Sequence, residues 1–140
     1  MRTLVRSIGR ASIGGEPLPS CFKAFENNKI IIRRSEVSMF AAAPGVGKST
    51  LALALKMKVP TLYISADTNA HTMAMRLASM ISGKSQSDVE GMLSTDIGWT
   101  KATLAKGSHI VWSFESAPTL QDIDEEVEAF EELWGCPPTL

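Results

Sequence analysis

Long apolar runs are missing from this 140-residue chain. None approaches the roughly 20 residues that a membrane-spanning helix needs. The start, MRTLVRSIGRASIGGEPLP, carries arginines but lacks the continuous apolar core of a secretory signal. A cytoplasmic protein without a membrane partner is therefore expected. Cysteine is scarce, and Cys21 and Cys136 are too far apart to match a metal-ligand or redox spacing, so they read as free thiols in a reducing compartment. Aromatic residues make up only 6%, too few to interleave a basic nucleic-acid surface. A net charge of −1 argues against a chain that grips DNA through its overall charge. Internal repeats and low-complexity segments are lacking as well.

The charge that is present is unevenly placed. Residues 1–34 carry seven basic side chains (Arg2, Arg6, Arg10, Lys23, Lys29, Arg33 and Arg34) against Glu16 and Glu26. Residues 115–140 carry eight acids and no Lys or Arg. Two readings of the basic start stay open: a solvated surface, or a weak, sequence-independent DNA contact through Arg2, Arg6 and Arg10. The acidic end reads as the solvated face of a helix.

The length suits a single domain. Residues 1–35 show no sustained periodicity, and Gly14, Gly15, Pro17 and Pro19 interrupt their first half; a basic, flexible arm is expected there. From Glu36 the pattern becomes regular. Val37–Ala43 is a short apolar run of the kind found in strands covered on both faces. A helix over Ser49–Lys58 follows, then a strand at Thr61–Ala66, before which Pro60 stops the helix. Residues 70–82 place Met73, Leu77, Met80 and Ile81 on one helical face. Residues 86–106 read as two short helices broken near Gly98. His109–Phe114 is a third strand. Leu120–Trp134 is an amphipathic helix, with Ile123, Val127, Phe130 and Leu133 on its apolar side. Strands alternating with helices predict an α/β fold with a parallel sheet wound right-handedly.

The most informative stretch is MFAAAPGVGKSTLALAL, residues 39–55. A lysine opens its helix, where the macrodipole already makes the end positive. Ala42-Ala43-Pro44-Gly45-Val46-Gly47-Lys48-Ser49 fits the phosphate-loop pattern G-x-x-x-x-G-K-[ST], with Ala42 in place of the first glycine. Gly45 and Gly47 allow the backbone to curl into a nest of N–H groups, and the helix end adds unpaired donors. Residues Ala43, Pro44, Gly45, Val46, Gly47, Lys48, Ser49 and Thr50 are thus candidates for binding a nucleotide. Lys48 would reach the β- and γ-phosphates and Ser49 Oγ would bind Mg²⁺. The lysine stands where a polyphosphate is expected.

Asp67, in Ser65-Ala66-Asp67, falls at the carboxyl end of the second strand, the edge at which open α/β sheets bind ligands. It is the candidate catalytic acid, placed to orient a water toward the γ-phosphate. The other reading open for it is an N-cap, because Asp67 and Thr68 precede the helix at 70–82.

RRSEVSMFAAAPGVGKSTLALAL, LYISADTNAHTMAMRLASMISG and FESAPTLQDIDEEVEAFEELWG together resemble three consecutive blocks of a RecA-like motor domain. The resemblance covers about residues 30–140 and is greatest to the DnaB-type replicative hexameric helicases of bacteria and their phages. That family often carries Ala at the position of Ala42. Asp67 and Arg76 match its glutamate after the second strand and the arginine nine residues on. Two matches are imperfect: Ser35 stands where Gly is common, and Asp67 is one methylene shorter than Glu.

The resemblance implies a P-loop fold with a RecA-like sheet, ATP and Mg²⁺ as cofactors, single-stranded DNA as a partner of the complete helicase, and a hexamer or a complementing carboxyl-terminal half. The motor's Walker B strand, apolar and ending in Asp, has no counterpart before Leu140. An incomplete motor domain over residues 36–140, binding ATP without efficient hydrolysis, is therefore expected. IVWSFE, ending at Glu115, is the one earlier strand whose acid could substitute. A non-catalytic nucleotide-binding module working with a partner chain is the alternative, and a small P-loop kinase is a third reading.

Overall fold

In the computed structural model, residues 15–56 and 59–138 are described. Arg2, Arg6 and Arg10, and the expected helix end at Met57–Lys58, lie outside them. The chain divides into two units, one ending at Lys48 and the other beginning at Ser49. This junction falls at the start of a helix.

The first unit is built on a bridged turn. Pro17 and Arg33 form an isolated antiparallel bridge, flanked by bonds from Leu18 N–H to the Ile32 carbonyl (2.8 Å) and from Arg34 N–H to the Glu16 carbonyl (3.1 Å). Between the bridged residues lies a one-turn helix, α1 (Lys23–Asn27). Phe25 stacks on Phe40 with centroids 6.3 Å apart and also meets Phe22. Ile32 is the buried apolar residue among the described residues of this unit. The region expected to lack regular structure thus holds a short helix and a backbone clasp. Its sequence hides them because one bridge and one turn are too short to generate a period.

The expected strand Val37–Ala43 is not formed. Residues 36–43 pair with no strand among the described residues, Val37 is fully exposed and Met39 is 87% exposed. An apolar run becomes a strand only when neighbouring backbone satisfies its N–H and C=O groups, and the two strands that do form pair with each other.

The second unit follows the sequence closely. Helix α2 (Lys48–Lys56) is followed by β1 (Thr61–Ile64), α3 (Ala70–Ser82), α4 (Gln86–Thr95), α5 (Ile97–Leu104), β2 (Ile110–Ser113) and α6 (Leu120–Trp134). Strands β1 and β2 form a two-stranded parallel sheet, with Thr61 opposite Ile110 and Ile64 opposite Ser113. The unit is α/β. Leu53 from α2, Met73 and Leu77 from α3, and Ile110 from β2 make the core, with Tyr63, Met80, Ile81, Leu104 and Trp112 against it. Helices α3, α4 and α5 pack on one another, and α6 packs on β1.

The helix break expected at Gly98 falls at Asp96 instead, whose carboxylate accepts from Trp99 N–H at 2.8 Å and caps α5. Gly98 sits within that helix, where it is tolerated at a small cost in propensity. Among the described residues, no helix is long and apolar enough to cross a membrane.

Candidate functional site

Two groups of residues, one in each unit, carry the chemistry. The first is the loop preceding α2. Gly45 has φ +81° and Gly47 has φ +94°, conformations that L side chains rarely adopt and glycine enters freely. Alternation of such residues with ordinary ones turns successive N–H groups to one side of the chain, the geometry of an anion nest. A Cβ at either glycine would meet no atom within 4 Å; backbone conformation, and not space, demands glycine. Lys48 opens α2 and its ammonium donates to the Ala42 carbonyl at 2.7 Å and the Ala43 carbonyl at 3.1 Å. The cation is therefore held by two neutral carbonyl oxygens of its own loop, exposed to solvent. A phosphate oxygen would be a stronger, charged acceptor. Ala43, Pro44, Val46 and Thr50 are also exposed.

The second group begins one residue later. Ser49 lies in the first turn of α2, and Tyr63 lies on β1. Burial pushes the Tyr63 phenol above its ordinary value, the Ser49 side chain pulls it back, the Asp67 carboxylate raises it and the Arg76 guanidinium lowers it. Ser49, Tyr63, Asp67 and Arg76 thus act on one locality at the carboxyl side of β1. Three of them were singled out by sequence. Tyr63 was not, although it is the only tyrosine and alternates with Thr61 and Ser65 along the strand, a polar spacing of two that puts them on one face.

Asp67 is exposed, and one of its oxygens accepts from Thr68 Oγ1 at 3.1 Å. It does not cap α3. Asn69 does, accepting from Thr72 N–H at 2.9 Å, so the N-cap reading of Asp67 is corrected. The Ser65 hydroxyl donates to the Thr68 carbonyl at 3.1 Å and ties the same turn. Arg76, half-buried on α3, lies 3.9 Å from the Met73 sulfur.

The parallel register sets Glu115 on the same sheet edge, because the Ser65 N–H donates to the Ser113 carbonyl at 2.9 Å and both chains leave the strands together. Glu115 is exposed and accepts from Ser116 N–H at 3.1 Å. It borders a cleft of about 290 Å³, together with Ile64, Ser113, Pro118, Asp122 and Glu126. Among the described residues, no group of three or more His, Cys, Asp or Glu is placed to hold a metal ion.

Within the first unit, Gly45, Gly47 and Lys48 are the residues that could hold an anion.

Proteins of two mycobacteriophages are similar to this chain. It is 34% identical over 129 residues to the Gene 65 protein of Mycobacterium phage L5, a match covering 90% of the chain and 48% of that protein. It is 35% identical over 105 residues to the Gene 65 protein of Mycobacterium phage D29, covering 73% of the chain and 45% of that protein. The chain thus spans about half the length of the curated relatives it matches. No family profile matches it, and no solved structure does.

Proposed function

We propose that this chain binds ATP or ADP through its phosphate loop and constitutes the nucleotide-binding part of a phage motor of the DnaB-like helicase type. The observation that carries the reading is the pair of positive-φ glycines, Gly45 and Gly47, running directly into a helix that opens with Lys48. Backbone N–H groups of such a loop bind phosphate oxygens without any change of side chain. Lys48 exchanges its two carbonyl partners for phosphate oxygens. Ser49 contributes its hydroxyl oxygen to the cation. When bound, magnesium neutralises charge on the terminal phosphates.

Asp67 is left for the water. Asn69 has taken the capping duty, so nothing in the α3 terminus requires a carboxylate at position 67. Its shorter reach, compared with the glutamate of the resembled family, favours binding over rapid turnover in this chain. DNA unwinding, a hexameric ring and contact with single strands belong to the complete motor that the resemblance suggests.

Calorimetric titration of the chain with Mg²⁺–ATP, alongside phosphate release, tests the reading. Wild type is expected to bind and to release phosphate negligibly. Lys48→Ala is expected to weaken binding by about 10- to 100-fold, the range for losing charge-assisted hydrogen bonds. Asp67→Ala is expected to leave binding nearly intact. Failure of wild type to bind, or equal binding by Lys48→Ala, sinks the proposal. Steady phosphate release that disappears in Lys48→Ala, but survives in Asp67→Ala, moves the catalytic role to Glu115.

A further inference from the structure

Both faces of the β1–β2 sheet border a cleft, and the two clefts differ in chemistry. Successive residues of a strand point to opposite sides. Ser113 and Glu115 line the cleft beside α6. Ile110, Trp112 and Phe114 face the other way, onto a second cleft of about 340 Å³ that α3 borders with Met73 and Leu77. Its walls are mostly apolar, and the charge around it is basic. The segments that build it, 70–82, 97–108 and 110–114, contain Arg76, Lys101 and Lys106 and no Asp or Glu. Lys101 lies one helical turn before Leu104, and Lys106 directly before Gly107; both of those neighbours line the cleft. The two lysines are exposed, and neither is ion-paired among the described residues.

Helix α6, on the opposite face, has the complementary character. Its residues 120–134 include Asp122, Asp124, Glu125, Glu126, Glu128, Glu131 and Glu132 and no Lys or Arg. Glu131 and Glu132 stand in its last turn, where no basic residue accompanies them. The macrodipole makes that end negative, so carboxylates there are unfavourable until a cation approaches. The same turn exposes Leu133 (70%) and Trp134 (37%). One face of the unit thus offers an apolar pair beside carboxylates, and the other an apolar cleft beside lysines. Within one chain the sheet separates them.

We propose that the cleft between α3 and β2 is a docking groove for a second copy of this chain, which inserts Leu133 and Trp134 from the end of its α6 and sets Glu131 and Glu132 against Lys101 and Lys106. Charge complementarity selects the occupant, and the partner's lysines neutralise the carboxylates at the negative helix end. Groove and insert are different surfaces on opposite faces, so the contact is head-to-tail and successive copies add in one direction. Neither surface belongs to the phosphate loop, and the inference stands apart from nucleotide binding.

Sedimentation velocity of the full chain over a concentration series tests it, at about 0.1 M and about 1 M salt, between which the screening length falls from about 10 Å to about 3 Å. Wild type is expected to self-associate in the micromolar range, and less so at the higher salt. Lys101→Glu/Lys106→Glu reverses the groove, and Glu131→Lys/Glu132→Lys reverses the insert. All four positions are exposed, and thermal midpoints near that of wild type verify that both variants fold. Each variant alone is expected to associate at least about tenfold more weakly, since like charges then meet. Mixed, the two are expected to recover association, because each offers the other an oppositely charged surface. Leu133→Ser is expected to weaken association at both salt concentrations. A wild type that stays monomeric throughout the micromolar range overturns the proposal. So does undiminished association of either charge variant, which places the contact on another surface such as the exposed Val37–Ala43 run. A mixture that associates no more strongly than its components overturns it as well.

Discussion

Val37–Ala43 and Thr61–Ile64 are both short apolar segments followed by a polar turn, yet one lies bare and the other forms the centre of a folded unit. In Thr61–Ile64 every second residue is engaged: Thr61 is fully buried with its hydroxyl bonded to the Val59 carbonyl at 2.9 Å, and Tyr63 packs on Trp112. Its backbone is paired along the whole of β2. In Val37–Ala43 the valine and methionine face solvent, and Phe40 finds its partner in Phe25 of the same small unit. The difference teaches that apolar content nominates a strand but pairing makes one. An exposed apolar run of this kind is also an association hazard.

The largest effect that sharpens this contrast lies in the second unit. Leu53→Ala should destabilise by about 2–5 kcal/mol, the range for a fully buried leucine, since Leu53 is 0% exposed. Val37→Ser should change stability by less than about 0.5 kcal/mol. Urea unfolding of both variants makes the comparison, and equal losses would break it by showing that Val37 is buried in solution.

A smaller effect distinguishes glycines kept for space from glycines kept for conformation. A Cβ at Gly107 would come within 2.8 Å of Leu77 Cδ2, inside the packed core. Gly107→Ala should cost about 1–3 kcal/mol and leave ATP affinity unchanged. Gly47→Ala, which meets no atom, should act chiefly on ATP affinity through the strained φ. Thermal melts and nucleotide titration separate the two.

Next comes the start of α6. Thr119 and Asp122 form a reciprocal capping box: the Thr119 backbone N–H and hydroxyl donate to Asp122 Oδ2 at 2.7 and 2.8 Å, and Asp122 N–H donates to the Thr119 hydroxyl at 3.2 Å. Thr119→Ala should cost about 0.5–2 kcal/mol. The backbone bond, more than the hydroxyl bond, holds the Asp122 carboxyl below its ordinary value. A depressed folded value means that the stabilisation is present above the unfolded carboxylate range and is lost as pH falls through the folded one. The penalty of Asp122→Asn should therefore shrink steadily in acid, read by unfolding midpoints across an acid pH series; a penalty that is flat with pH contradicts the assignment.

The smallest effect returns to the first unit. Ser35 has φ +62°, a left-handed conformation that costs a residue with a Cβ about 1–2 kcal/mol. Ser35→Gly relieves it but gives the unfolded chain more freedom, leaving a net gain of about 0.5 kcal/mol. Slower amide exchange around the Pro17–Arg33 bridge would show it, and faster exchange would refute it. Glycine, common in the resembled family at this position, suits the backbone found here.

By itself, the sequence determined the type and order of the second unit's elements, though not every boundary: the break expected at Gly98 falls at Asp96. Leu120–Trp134 and the helix at 70–82 are legible to the residue because their apolar faces repeat at helical spacing and polar caps mark where they begin. The turn before α2 was legible because Gly45 and Gly47 supply the positive φ values it uses. Which residue capped α3 was not legible, since Asp67, Thr68 and Asn69 are all good caps and only the path of the chain out of β1 selects Asn69. The bridge at Pro17–Arg33 left no period to detect. The fate of Val37–Ala43 was decided only in three dimensions, because a strand requires a neighbour's backbone and local spacing does not encode one.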